Sequence, residues 1–211
     1  MPDQVKILSR ERVFSGYNGL DKFRLQYEKF DGTLSRPISR ELLVRGIAVS
    51  VLPYDPHTDQ VVLIQQFRIG AHVRDWMPWQ TEIVAGRVEE GEAIEEVARR
   101  EASEEAACAL GRLELLSKYL VNPACSNEIM HLFIGEVDAA KASGTHGLDE
   151  EDEDIRVFVK PADEVFGWLE DGSITNANML IAVQGVGVAP GPSASRMAAL
   201  KKPTVWNSGR V

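Results

Sequence analysis

Between Glu89 and Glu105 the sequence runs EEGEAIEEVARREASEE, a density of carboxylates that either solvates a surface or holds a cation. On a helical wheel at about 100° per residue with Glu101 at the origin, Ile94, Val97, Ala98, Cys108 and Ala109 fall between roughly −40° and +80°. Glu105 falls near ~+40° and Glu104 near ~−60°, in or beside that apolar sector, whereas Glu92, Glu96 and Arg99 lie on the far side. Charges that merely solvate a helix keep to its far face. Carboxylates brought within about 6 Å of one another on the buried side repel and resist ionisation, so something positive must sit among them. An oxygen-only donor set suits Mg²⁺ or Mn²⁺ better than zinc, which prefers histidine or thiolate. A second acidic run, Asp149 to Asp154, stands just before an apolar stretch.

These side chains need elements to position them, and the apolar periodicity supplies a set. GIAVSVLPY and QVVLIQQFR, separated by the turn-rich Asp55-Pro56-His57-Thr58-Asp59, predict two core strands. A further strand is expected near 80–84 and the acidic helix over about 92–109. Strands should follow near 114–121, 129–137 and 155–159, then helices over 161–170 and 176–185. The order is not a regular βαβ series, which predicts an α+β fold. Before it, Phe23, Leu25 and Tyr27 alternate with charged and polar residues and lead to Asp31-Gly32, the pattern of a β-hairpin. So small a sheet is marginal alone and should lean on the main domain or on another subunit. Residues 1–45 are therefore expected to form an N-terminal β element, 46–188 the catalytic domain, and 189–211, rich in Gly, Pro, Ala and Ser, a flexible tail.

Composition narrows the partners. A net charge of −9 argues against nucleic acid or an anionic membrane as the main partner, since either needs a basic footprint. A phosphorylated small molecule stays compatible with that charge when divalent cations intervene. No apolar run approaches the roughly 18 residues that cross a bilayer, and no signal-like stretch opens the chain, so the expected address is the cytoplasm. The two cysteines, Cys108 and Cys125, match no metal-ligand spacing and read as reduced thiols.

Gly86, Glu92, Arg100, Glu101, Glu104 and Glu105 match, interval by interval, the Nudix box: G, five residues, E, seven residues, REUxEExGU with U bulky aliphatic. The chain departs from the box at softer positions, with Ala102 and Cys108 for aliphatics and Ala107 for glycine. It thus resembles the Nudix hydrolases, and the resemblance implies an α/β/α sandwich with a mixed sheet. It further implies Glu101 and Glu105 as ligands of Mg²⁺ or Mn²⁺, Glu104 as a supporting catalytic carboxylate, the Ala85 carbonyl as a further ligand, and Arg100 as their orienting cation.

Beyond the box, the segments Ser39-Arg40-Glu41, Val44-Arg45-Gly46, Gln66-Phe67-Arg68, Pro78-Trp79, Glu82 to Gly86, Ser126-Asn127-Glu128 and Gly147 to Arg156 are similar to the bacterial ADP-ribose pyrophosphatases. Arginines suit phosphate through bidentate charge-assisted hydrogen bonds, so Arg40, Arg45 and Arg68 are candidates to grip a diphosphate and its terminal ribose. The same resemblance suggests Glu128 for a ribose hydroxyl and Tyr17 for stacking on the base. It implies a homodimer that exchanges its N-terminal sheets, and hydrolysis of ADP-ribose to AMP and ribose 5-phosphate. Metal ligation lowers the basicity of the helix carboxylates, so the base is expected in the acidic run: Glu151 as base and Glu153 as an additional metal ligand, from the subfamily's ExEDIR pattern. The competing readings are a Nudix hydrolase of another nucleotide sugar, such as GDP-mannose, and an inactive nucleotide-binding sensor.

Overall fold

The computed structural model describes residues 1–148, 150 and 152–187. The chain divides into two compact units. The first comprises Met1–Ala48 with Tyr119–Met130, and the second Val49–Lys118 with the described residues from His131.

The first unit carries a three-stranded antiparallel sheet of β1 (Val5–Ser15), β2 (Gly19–Tyr27) and β3 (Ile38–Val44), in that order. The turn that makes the first hairpin is at Gly16-Tyr17-Asn18, whereas Asp31-Gly32 turns the β2–β3 connection, with Gly32 at φ +78°. Two irregularities in the β1–β2 register, between Ile7 and Ser9 and between Arg12 and Phe14, are β-bulges that shift side-chain parity. Every residue of β1 is exposed. Asp21 on β2, by contrast, is buried against its cross-strand neighbours: Arg10 donates to it at 2.7 Å, and Arg12 also pairs with it.

The second unit is built on an eight-stranded mixed sheet flanked by helices. Its strands are β4 (Ile47–Asp55), β5 (Gln60–Phe67), β6 (Trp79–Glu82), β7 (Val84–Val88), β8 (Leu113–Leu120), β9 (Ile129–Glu136), β10 (Gly144–His146) and β11 (Ile155–Pro161). They run in the order β10-β11-β5-β4-β9-β8, with β6 beside β5 and β7 beside β4. Val61, Val62, Leu63 and Ile64 are consecutive buried residues, the signature of a strand covered on both faces. The helices are the short α1 (Ile69–His72), α2 (Ile94–Ala106), α3 (Ala162–Asp171) and α4 (Ala177–Gly187). On one face Val97, Ala98, Ala102 and Ala106 of α2 pack with Val49, Val51, Val62, Ile64 and Val84. The α+β class holds as expected. The acidic helix is shorter than the expected 92–109, and α1, β10 and a 3-10 turn at Ala139–Lys141 are additions to the sequence-based set. Residues 189–211, read from sequence as a flexible tail, lie outside the described residues.

Candidate metal and catalytic centre

α2 begins at Ile94, and its N-cap residue, Ala93, offers no side-chain cap. The loop before it is closed instead by Glu92, whose carboxylate accepts a hydrogen bond from the Glu89 N–H at 2.8 Å. β7 approaches α2 so closely that a Cβ on Gly86 would fall on the Glu101 carboxyl. Glycine is therefore needed here for the approach of strand to helix, not for an unusual dihedral. At the other end Ala107 is left-handed (φ 51°, ψ 28°), with Cys108 N–H donating to Ala102 O at 2.9 Å and Ala107 N–H to Ser103 O at 3.1 Å. This left-handed closure, with the C′ N–H bonded to the carbonyl four residues back, normally takes glycine. Alanine there costs about 1 kcal/mol.

The burial of α2 sorts its glutamates as the wheel requires. Glu105 is 5% exposed and accepts the Ala85 N–H at 2.9 Å. Burial pushes its carboxyl up to about 8, against the help of that N–H, and the Glu101 and Glu153 charges push the same way. Glu101 is raised to about 7, by burial first, opposed by Arg100 and reinforced by Glu104 and Glu153. Arg100 spans the group: it is 3.0 Å from Glu101, 2.8 Å from Glu104 and 3.8 Å from Glu92. One guanidinium thus faces three carboxylates, and Glu105 makes no ion pair among the described residues, feeling only the positive charge of Arg68.

The far side of the centre comes from other elements. Glu153 accepts the Leu148 N–H at 3.1 Å, and its charge reaches Glu101, Glu105 and Arg68. Glu151, expected as the base, lies outside the described residues. Arg68, at the end of β5, is clamped by the buried Glu82 of β6, with Nε to Oε1 at 3.1 Å and Nη2 to Oε2 at 2.8 Å. Glu82 received no role from the sequence, where the only local signal was a glutamate beside an apolar run.

Ala85, Glu101, Glu104, Glu105, Glu153 and Arg68 belong to the second unit. Tyr17, Arg40, Arg45 and Glu128 belong to the first. Tyr17 stands in the β1–β2 turn, 76% exposed. Arg40 on β3 donates to the neighbouring Ser39 carbonyl at 2.8 Å. Arg45 pairs with Glu128 at 3.2 Å and with Asn18 at 2.9 Å, so two residues expected to contact substrate contact each other.

Among the described residues no three His, Cys, Asp or Glu side chains converge into a ready-made cation cage. The donor chemistry nevertheless fits a hard divalent ion. The buried Glu105 and the partly buried Glu101 resist ionisation because burial penalises their charge, the Glu153 charge pushes both the same way, and no thiolate or imidazole is among them. Such a set can bind oxygen-coordinated metal and, through it, phosphate.

Comparison with known proteins agrees with this chemistry. The NUDIX domain model matches residues 44–181. The chain is 44% identical over 182 residues to the ADP-ribose pyrophosphatase of Escherichia coli (strain K12), covering 86% of this chain and 87% of that one. It is 39% identical to the Haemophilus influenzae ADP-ribose pyrophosphatase, covering 85% and 84%. Similarity to the GDP-mannose pyrophosphatase of Pectobacterium atrosepticum is lower, at 29% over 87% of this chain and 94% of that one. A crystal structure of an ADP compounds hydrolase shares the fold, with TM-score 0.66 and 21% identity over 88% of this chain and 93% of that chain.

Proposed function

The chain belongs to the Nudix family, and on that premise we propose that it is a Mg²⁺-dependent hydrolase that cleaves the pyrophosphate of ADP-ribose to AMP and ribose 5-phosphate. The observation that carries the reading is the pair of carboxylates raised by burial, the buried Glu105 and the partly buried Glu101, on a helix with the box spacing. The choice of ADP-ribose over GDP-mannose rests on the higher identity to the ADP-ribose pyrophosphatases.

In this reading Glu101, Glu105, Glu153 and the Ala85 carbonyl hold the metal, which when bound offsets phosphate charge and acidifies water. Arg100 keeps Glu101 and Glu104 in register for that task. Arg68, its Nε and Nη2 committed to Glu82, presents its remaining N–H groups to the diphosphate. Arg40 and Arg45 join it in gripping the diphosphate and terminal ribose, Glu128 takes a ribose hydroxyl and Tyr17 stacks on the base. Glu151, free of metal, takes the proton of the attacking water; Glu151→Gln should lower kcat roughly 10²-fold or more while sparing metal affinity.

The reading extends to a homodimer in which residues 1–45 are exchanged. Its support is β1, whose Val5, Ile7, Val13 and Phe14 are 45–62% exposed in the single chain. Light scattering tests it: a monomer with full activity contradicts the exchange. A cytoplasmic address is supported by two free cysteines. Among the described residues no helix is long and apolar enough to cross a membrane.

The experiment for the activity is a panel of ADP-ribose, GDP-mannose and uridine sugars with Mg²⁺, products resolved by chromatography. ADP-ribose should be the best substrate by kcat/KM and yield AMP with ribose 5-phosphate. A tenfold preference for a guanosine or uridine sugar would overturn the assignment, and metal-dependent binding without turnover would make the protein a sensor.

A further inference from the structure

Behind Arg68 lies a cavity of about 450 Å³, within the range of small-molecule sites. Its lining includes Arg68, Arg74, Trp76, Gln80, Thr175 and Asn176. Its one carboxylate, Glu82, is already bonded to Arg68. Arg74 makes no ion pair among the described residues, in a chain of net charge −9. The lining is thus left with one uncompensated positive charge where the chain as a whole is acidic. Trp76 leaves its indole 58% exposed at the same cavity, although a large aromatic is ordinarily covered. Gln80 and Thr175 are hydrogen-bonded to each other at 2.6 Å, which ties β6 to the segment before α4 and fixes the wall. Asn176 is likewise held, accepting the Met179 N–H at 3.1 Å. One guanidinium without an ion pair among the described residues, a second whose remaining N–H groups lie beyond its bond to Glu82, an exposed tryptophan and a fixed polar wall form a complement to a phosphate carried on a planar base.

We propose that this cavity is an accessory site for a nucleoside monophosphate, with the phosphate between Arg68 and Arg74 and the base on Trp76. An anion there competes with Glu82 for Arg68, so occupancy is felt at the catalytic centre. That coupling, though not the site itself, rests on the role proposed above for Arg68.

The test is calorimetric titration of the full chain, in chelator to silence the catalytic metal, with AMP, ribose 5-phosphate and inorganic phosphate in turn. AMP should bind, and more tightly than either of the others by about tenfold, the worth of one stacked base. Arg74→Ala should weaken AMP at least ~10-fold, the loss of one charge-assisted phosphate contact. Gly70→Leu provides a second variant: Gly70 lines the cavity and a Cβ there meets nothing within 4 Å, so a larger side chain can be introduced at the cavity wall. It too should weaken AMP at least ~10-fold, while Glu105→Gln should leave binding intact. Both cavity variants should keep the basal kcat/KM of the metal-loaded enzyme. Failure of AMP to bind at millimolar concentration, binding untouched by both cavity variants, or binding lost with Glu105→Gln would overturn the proposal. So would a raised KM for hydrolysis in Arg74→Ala, which would make the cavity part of the substrate site. Because the titration needs no turnover, its result is independent of whether ADP-ribose is the substrate.

Discussion

Two buried acidic sites in this molecule are handled in opposite ways. On β2, Asp21 is 1% exposed and faces two arginines of the neighbouring strand; the Arg12 hydrogen bond, joined by Arg10, outweighs burial and holds the carboxyl below its usual range. On α2, Glu105 is buried and Glu101 partly so, yet burial wins and their carboxyls rise to about 8 and about 7. A fold that only needed to bury acids would compensate both sites with its own cations. The first is neutralised within the chain, whereas on α2 one guanidinium, Arg100, is shared among three carboxylates and burial still dominates at Glu101 and Glu105. A group left in deficit is fitted for a ligand.

The largest effect that could break this contrast is on turnover. Glu105→Gln should lower Mg²⁺-dependent hydrolysis by on the order of 10²–10³-fold, comparable to removing one transition-state stabiliser. Steady-state kinetics at saturating Mg²⁺ measures it, and near-normal kcat would return Glu105 to a structural role. Asp21→Asn should do the reverse: a lower melting temperature, because two arginines lose their shared anion, with no change in metal affinity. Differential scanning calorimetry beside a metal titration checks both halves.

The two sites should also part company in their pH dependence. For Glu101 and Glu105 the folded values lie above the unfolded value of 4.5, so the folded state binds more protons between them. Metal-free protein should therefore lose stability as pH rises from about 5 to about 8. Mg²⁺ should restore what is lost. Asp21, with its folded value depressed, contributes stability above the unfolded value of 3.8 that is lost as pH falls through its folded value. Urea midpoints across pH with and without Mg²⁺ distinguish the two, and a flat metal-free profile above pH 5 would remove the deficit. The smallest effect concerns the end of the same helix: Ala107→Gly should stabilise the protein by about 1 kcal/mol by relieving a left-handed alanine. An unchanged urea midpoint would mean that the C-terminal closure carries no strain.

Much of this was legible in the sequence where one physical pattern acts alone. The α2 glutamates could be sorted on a wheel because a helix keeps its period, and Glu105 is indeed its most buried carboxylate. The core strand β5 was readable because both its faces are covered. β1 was not, since its two bulges shift the parity on which alternation depends, and its exposed residues leave no buried face to read. β10 has three residues, too few to carry a period. The Arg68–Glu82 clamp was hidden for another reason: the partners lie 14 positions apart and meet only because β5 and β6 pair. The pairing of Arg45 with Glu128 was likewise beyond local pattern, because 83 positions separate them.

The most direct test of the central claim, that the deficit on α2 exists for a divalent cation, is Mn²⁺ binding by the wild type, Glu101→Gln and Glu105→Gln, followed by electron paramagnetic resonance at pH 8 without substrate. The wild type should bind, each variant should lose affinity, and each metal-free variant should melt higher than the metal-free wild type because a buried charge has been removed. Unchanged Mn²⁺ affinity in both variants would contradict it.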